Sequence, residues 1–129
     1  MEINVSYLGK QKINANFDGF NIVADQPLSN NGENTAPSPF DYFLASTAMC
    51  AAYYVKAYCD ARNLSVDGIK ISQVNTKDTE NKYKQVFNIK VELPGSFSDK
   101  DKEGILRSVE GCSVKKAIQQ IPEFKVSVL

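Results

Sequence analysis

Residues Ser38–Asn63, SPFDYFLASTAMCAAYYVKAYCDARN, decide the fold. The stretch opens as a helix opens. Ser38 is a good N-cap, Pro39 suits the first helical position, and Asp41 completes an S-x-x-D capping box. It closes at Asn63, a residue that tolerates left-handed backbone, with apolar Leu64 behind it. Between Tyr42 and Val55 the polar side chains are Ser46 and Thr47, so the helix is apolar nearly all round. Such a helix is expected to be buried on every side. The apolar run is shorter than the roughly 20 residues of a membrane span. Ala45, Ala48, Ala51 and Ala52 permit close approach of another helix. The chain has no second long apolar helix, so the same helix of a second copy is the expected neighbour, in a two-fold homodimer.

Toward the N-terminus, Ile3–Leu8 mostly alternates apolar and polar, and Gly9-Lys10 is a turn signal. Ile13, Ala15 and Phe17 share one face of a second strand. Asp18-Gly19 then marks a hairpin before Phe20–Ala24. The polar segment QPLSNNGENTAP (26–37) reads as a solvated crossover or, being long for a connection, as a lid. Toward the C-terminus, Gly68–Thr76 and Tyr83–Leu93 alternate again around the polar turn KDTENK. Ser98 with Asp101 opens another helix, which Gly111 breaks. A short helix runs from Cys112 to Ile121, Pro122 stops it, and Phe124–Leu129 reads as a closing strand. The order is βββ-α-ββ-α-α-β. This predicts an α+β fold, antiparallel sheets around a long central helix, in one domain covering 1–129.

Composition narrows the chemistry. Fifteen basic and fifteen acidic residues cancel, without runs of like charge, so neither nucleic acid nor an acidic membrane is the expected partner. The start, MEINVSYLGK, carries no signal-peptide pattern, which predicts a cytoplasmic protein with reduced thiols. There is no histidine, which excludes Ser-His-Asp and Cys-His nucleophiles and His-ligated metals; no metal site is expected. The cysteines Cys50, Cys59 and Cys112 form no CxxC. Taken alone, Cys50 in an apolar helix is a small core residue. Cys112 follows Gly111 at a helix start, where peptide N–H groups favour a thiolate, though it too could simply be packed. Cys59 lies about 13.5 Å along the axis from Cys50 and half a turn round, out of bonding range within one helix, and reads as structural.

Two segments carry a resemblance. NGENTAPSPFDYFLASTAMC is similar to the central-helix signature of the OsmC/Ohr family, the osmotically inducible and organic hydroperoxide resistance proteins. There a Gly/Asn-rich loop leads to Pro, an acidic residue, an Ala-rich apolar stretch, and a cysteine eleven residues after the Pro; Pro39 and Cys50 keep that spacing. GCSVKKAI resembles the family's Cys-Pro-Val segment, with Ser113 in place of the Pro. The acidic residue stands at Asp41 rather than directly after Pro39, and the family's arginine is missing from the N-terminal strands. The order of elements agrees over essentially the whole chain.

The resemblance implies an intertwined homodimer with a thiol peroxidase site at the subunit interface. Cys50 would attack a small-molecule hydroperoxide and become a sulfenic acid. Cys112 would condense with it to a disulfide, and an external dithiol reductant, typically lipoyl-type in this family, would reopen that bond. No bound cofactor is implied. Asp41 is a weaker catalytic candidate, since it also caps the helix. Phe43, Tyr53 and Tyr54 are candidate substrate contacts, though tyrosines in such a helix are commonly core. Two rivals use the same fold: a non-catalytic protein binding a small lipophilic ligand, and a slow thiol redox sensor.

The reactivity of Cys50 is a separate question. Burial raises a thiol pKa, and Cys50 lies beyond the first turn of its own helix. Arg62 is roughly 18 Å further along and too far. Arg107, on the element that must approach Cys50, is the candidate cation. Lys10 and Lys12 lie near the family's arginine position, but Lys12 has the opposite parity to Ile13, Ala15 and Phe17. The expected pKa of Cys50 is therefore near or above that of a free thiol.

Overall fold

The computed structural model describes all residues from Met1 to Leu129. They form two compact units, 1–45 and 46–129.

The first unit is an antiparallel meander of β1 (Asn4–Gly9), β2 (Lys12–Phe17) and β3 (Phe20–Ala24). Val5 opposes Ala15 and Ala15 opposes Ile22, with a register shift between Tyr7 and Gly9. Asp18 and Gly19 both have positive φ, 48° and 81°, the two-residue turn whose twist matches that of the strands it joins. Segment 26–37 is a largely exposed crossover, as one reading has it, and it is built around Asp25. That carboxylate, 1% exposed, accepts hydrogen bonds from the N–H of Gln26 (2.8 Å), Glu33 (3.3 Å) and Thr35 (3.0 Å), and from Thr35 Oγ1 (2.7 Å). Those donors outweigh burial and hold its pKa at about 2. Gly32 is required there, since a Cβ would sit 1.8 Å from the Gln26 carbonyl oxygen.

Helix α1 runs from Pro39 to Ala61. Its capping box forms in both directions: Asp41 N–H donates to Ser38 Oγ (3.2 Å), while Ser38 N–H and Oγ donate to Asp41 Oδ2 (2.9 and 2.7 Å). Asn63 takes φ 53°, and Leu64 N–H returns to the Cys59 carbonyl at 2.9 Å. Within one chain α1 is not buried on every side. Thr47, Ala51, Val55, Tyr58 and Cys59 form one buried stripe, whereas Met49 and Tyr53 are 71% and 66% exposed. Within the second unit, the β-hairpin and the later helices cover only one face of so apolar a helix.

In the second unit β4 (Lys70–Lys77) and β5 (Gln85–Glu92) pair antiparallel, Ile71 opposite Val91 and Asn75 opposite Phe87. Helix α2 (Asp99–Glu110) is capped by Ser98, which accepts from Asp101 N–H. Helix α3 spans Ser113–Gln119. The core is Val55, Tyr58, Cys59, Phe97 and Ile105, with Leu64, Ile71, Val91 and Val109 packed on it. The expected closing strand does not form: Phe124–Leu129 is exposed throughout and pairs with neither sheet. Period-two alternation makes a strand only where a sheet edge accepts its backbone groups, and β4 and β5 pair only with each other.

Candidate functional site

Cys50 reaches the site from the middle of α1, half-buried, while Cys112 is 3% exposed and caps the start of α3. Both thiols are free and hydrogen bonded to each other. Their environments differ. Burial pushes Cys50 up, but the Cys112 thiol and the peptide N–H groups of Val114 and Ser113 all donate to it. The sum brings Cys50 below the ordinary thiol value of 9.0. Cys112 is pushed up, first by burial and then by its bond to Cys50, with the N–H groups of Lys115 and Val114 offsetting only part. Of the two thiols, Cys50 is therefore the more acidic and Cys112 the less.

Two sequence expectations are corrected here. Cys50 was expected near or above the free value, because its own helix gives no help. The help comes instead from the turn that carries Cys112, sixty-two residues away. The start of α3 was expected to favour a thiolate at Cys112, but its first N–H groups serve Cys50 as well, and Cys112 is raised. No charged side chain contributes to the shift at Cys50. Arg107 is exposed and lies 3.7 Å from Glu103. Arg62 sits over the Tyr58 ring, 3.8 Å from its centroid. Lys10 and Lys12 both hold Glu33, at 2.8 and 2.6 Å. Lys12 is half-buried rather than solvated, an ion pair that strand parity could not foresee.

The remaining candidates divide. Tyr54 Oη and Ser113 Oγ are 2.7 Å apart, and Ser108 Oγ donates to the Tyr54 carbonyl at 3.1 Å, so Tyr54 ties α1 to both later helices. Tyr53 meets Tyr54 edge-on, ring centroids 5.4 Å apart, and faces outward. Asp41 is engaged in its cap. Phe43 stacks on Phe40 at 5.6 Å in the first unit. Cys59 is fully buried, and burial followed by the Asp60 charge raises it.

Beside Cys112 opens a cleft of about 780 Å³. Ala51, Phe87, Ile89, Val109 and Ile118 form its apolar wall, and Lys84, Glu110 and Lys115 also line it. None of Phe43, Tyr53 and Tyr54 lines it. Thr47, also at the cleft, donates to Gln73 Oε1 (2.7 Å), and Gln73 Nε2 donates to Asn75 Oδ1 (2.9 Å). This polar file was missed by sequence reading; its one signal is polar side chains on the inward parity of β4. No three His, Cys, Asp or Glu side chains gather as metal ligands, and no helix is long and apolar enough to cross a membrane.

Several solved structures share the fold. An osmotic stress induced and detoxification response protein from Psychrobacter arcticus superposes with TM-score 0.74 at 19% identity, over 89% of this chain and 85% of that one. An OsmC-like protein from Mycoplasma pneumoniae gives 0.69 at 16%, over 94% and 89%. An organic hydroperoxide resistance protein from Legionella pneumophila gives 0.55 at 17%, over 92% and 90%. No curated protein matches the sequence. The family model described as OsmC-like protein matches residues 32–127, which include both Cys50 and Cys112, and the chain belongs to that family.

Proposed function

We propose that the protein is a cysteine-based hydroperoxide reductase. The observation that carries this reading is the asymmetric thiol pair, hydrogen bonded to each other, with Cys50 lowered and Cys112 raised from the ordinary thiol value. The Cys50 thiolate attacks the outer peroxide oxygen and the O–O bond breaks. The departing alkoxide takes a proton and leaves as alcohol, and Cys50 becomes a sulfenic acid. The Cys112 sulfur then displaces hydroxide from the Cys50 sulfur, its proton completing a water, and a disulfide remains. An external dithiol, of the lipoyl type in the family's manner, returns both cysteines to thiols and is itself oxidised. The apolar wall of the cleft suits an organic rather than an inorganic hydroperoxide.

The working form is a cytoplasmic homodimer in this reading, since a second copy would cover the exposed face of α1 at Met49 and Tyr53. Cumene hydroperoxide with thiol counting provides the test. Rapid loss of two thiols per chain is expected. Cys50→Ser abolishes consumption, and Cys112→Ser stops at a sulfenic acid that dimedone traps. Slow loss of two thiols would replace the enzyme by a redox sensor, and no loss by a binding protein. Light scattering on the unmodified protein checks the dimer; a well-folded monomer removes it.

A further inference from the structure

The thiolate of a peroxidase needs something positive near it, and within one chain no charged side chain shifts Cys50. What meets it is the turn Cys112–Val114. That turn is anchored from outside, because the Ser113 hydroxyl lies 2.7 Å from Tyr54 Oη, and Tyr54 stands one turn beyond Cys50 on the same helix. A second bond, Ser108 Oγ to the Tyr54 carbonyl at 3.1 Å, holds the end of α2, from which the turn departs, to the same residue. The sequence puts a serine where the resembling family has a proline. A proline there would have neither the peptide N–H nor the hydroxyl.

We propose that Ser113 is a positioning residue for Cys50: its hydroxyl, paired with Tyr54, fixes the turn against α1 so that the peptide N–H groups of Ser113 and Val114 meet the Cys50 sulfur. In this chain the turn that bears Cys112 thus does what an arginine would do elsewhere. It also ties activation to the redox cycle. Oxidation of Cys50 removes the negative charge that these N–H groups hold, so the turn grips the sulfur in the thiolate state and releases it when Cys112, already in contact, forms the disulfide. The titratable group in contact with Cys50 is Cys112; Glu110, Lys115 and Lys84 line the cleft on the Cys112 side without contributing to the shift at Cys50.

This inference rests on Cys50 being the reacting sulfur, but its test does not need peroxide turnover. The readout is the rate of Cys50 alkylation by iodoacetamide against pH, followed by peptide mapping on the whole protein. Two or three N–H bonds lower an acid's pKa by about two units, so losing one is worth about one unit. Ser113→Pro should raise the midpoint by about one unit, roughly tenfold slower alkylation at a pH below it. Proline suits a first helical position, so this variant is expected to fold. Ser113→Ala and Tyr54→Phe should each raise the midpoint by less, the double variant by no more than either single one, and Ser113→Thr should restore it. A midpoint unmoved in Ser113→Pro overturns the proposal. Additive effects of Ser113→Ala and Tyr54→Phe, or none from Tyr54→Phe, overturn it too, and these two variants decide the matter should the proline variant misfold. A midpoint that shifts as described in a protein inert toward cumene hydroperoxide would uphold this inference while removing the peroxidase reading.

Discussion

Gly104 offers a substitution whose sign tests the packing of the second unit. In an exposed helix interior, glycine to alanine gains about 0.5–1 kcal/mol from the reduced freedom of the unfolded chain. At Gly104 a Cβ would fall 2.3 Å from Tyr58 Cε2, 2.4 Å from its Oη and 2.5 Å from its Cζ. The obstacle is the edge of a ring, not the end of a flexible chain. That ring cannot easily retreat, because its hydroxyl donates to Asp101 Oδ1 at 3.0 Å and Arg62 covers its face. Overpacking of this kind costs about 1–3 kcal/mol, and a pinned ring belongs in the upper half of that range. After subtracting the helical gain, Gly104→Ala should destabilise by about 1–2 kcal/mol. For a chain of this size that lowers Tm by about 3–10 °C. Thermal unfolding followed by circular dichroism measures it. In a Tyr58→Leu background the three clashing atoms are gone, and the same Gly104→Ala change should raise Tm instead. A rise in the parent background, or the same sign in both, would refute the packing of Tyr58 on Gly104.

Ser38→Ala removes the oxygen that caps Asp41 N–H and one of the two donors to Asp41 Oδ2, leaving the Ser38 N–H; a loss of about 1 kcal/mol is expected in urea unfolding, and an unchanged midpoint would contradict the cap. Asp25 gives a pH prediction whose sign follows from its lowered pKa, about 2 against an ordinary 3.8. Its stabilising effect is complete above about pH 4 and is lost as pH falls toward 2, so Asp25→Asn should flatten that part of the acid-stability curve and should weaken the protein at neutral pH. An Asp25→Asn curve parallel to the parent's would count against it. Because Cys50 is lowered and Cys112 raised, iodoacetamide at neutral pH should modify Cys50 well before Cys112; the reverse order by peptide mapping would undo the assignment of roles.

What the sequence disclosed was local. Ser38, Pro39 and Asp41 specify a helix start by hydrogen bonds spanning three residues, Asn63 an end by its own backbone preference, and Asp18-Gly19 a turn by theirs. The cysteines were found through motif spacing. Long-range effects escaped notice. The N–H groups that acidify Cys50 come from residues more than sixty positions away, and peptide donors leave no trace in side-chain identity. Asp25 carries no local signal of its role, since nothing in its neighbours shows that Glu33 and Thr35 fold back onto it. Phe124–Leu129 misled because alternation reports suitability for a sheet, not the presence of an edge to join.

Cys59 plays no part in the proposed chemistry, which gives it another use. It is 0% exposed at the centre of the core formed by Val55, Tyr58, Phe97 and Ile105, and burial raises its pKa. A reagent can reach that sulfur only when the core opens. With Cys50 and Cys112 locked as a disulfide, Cys59 becomes a single internal clock. Its labelling rate in native buffer, divided by the rate for an unfolded thiol, is the fraction of time the second unit spends open. The protein thus carries its own gauge of conformational breathing, readable without denaturant and separately from the reacting pair.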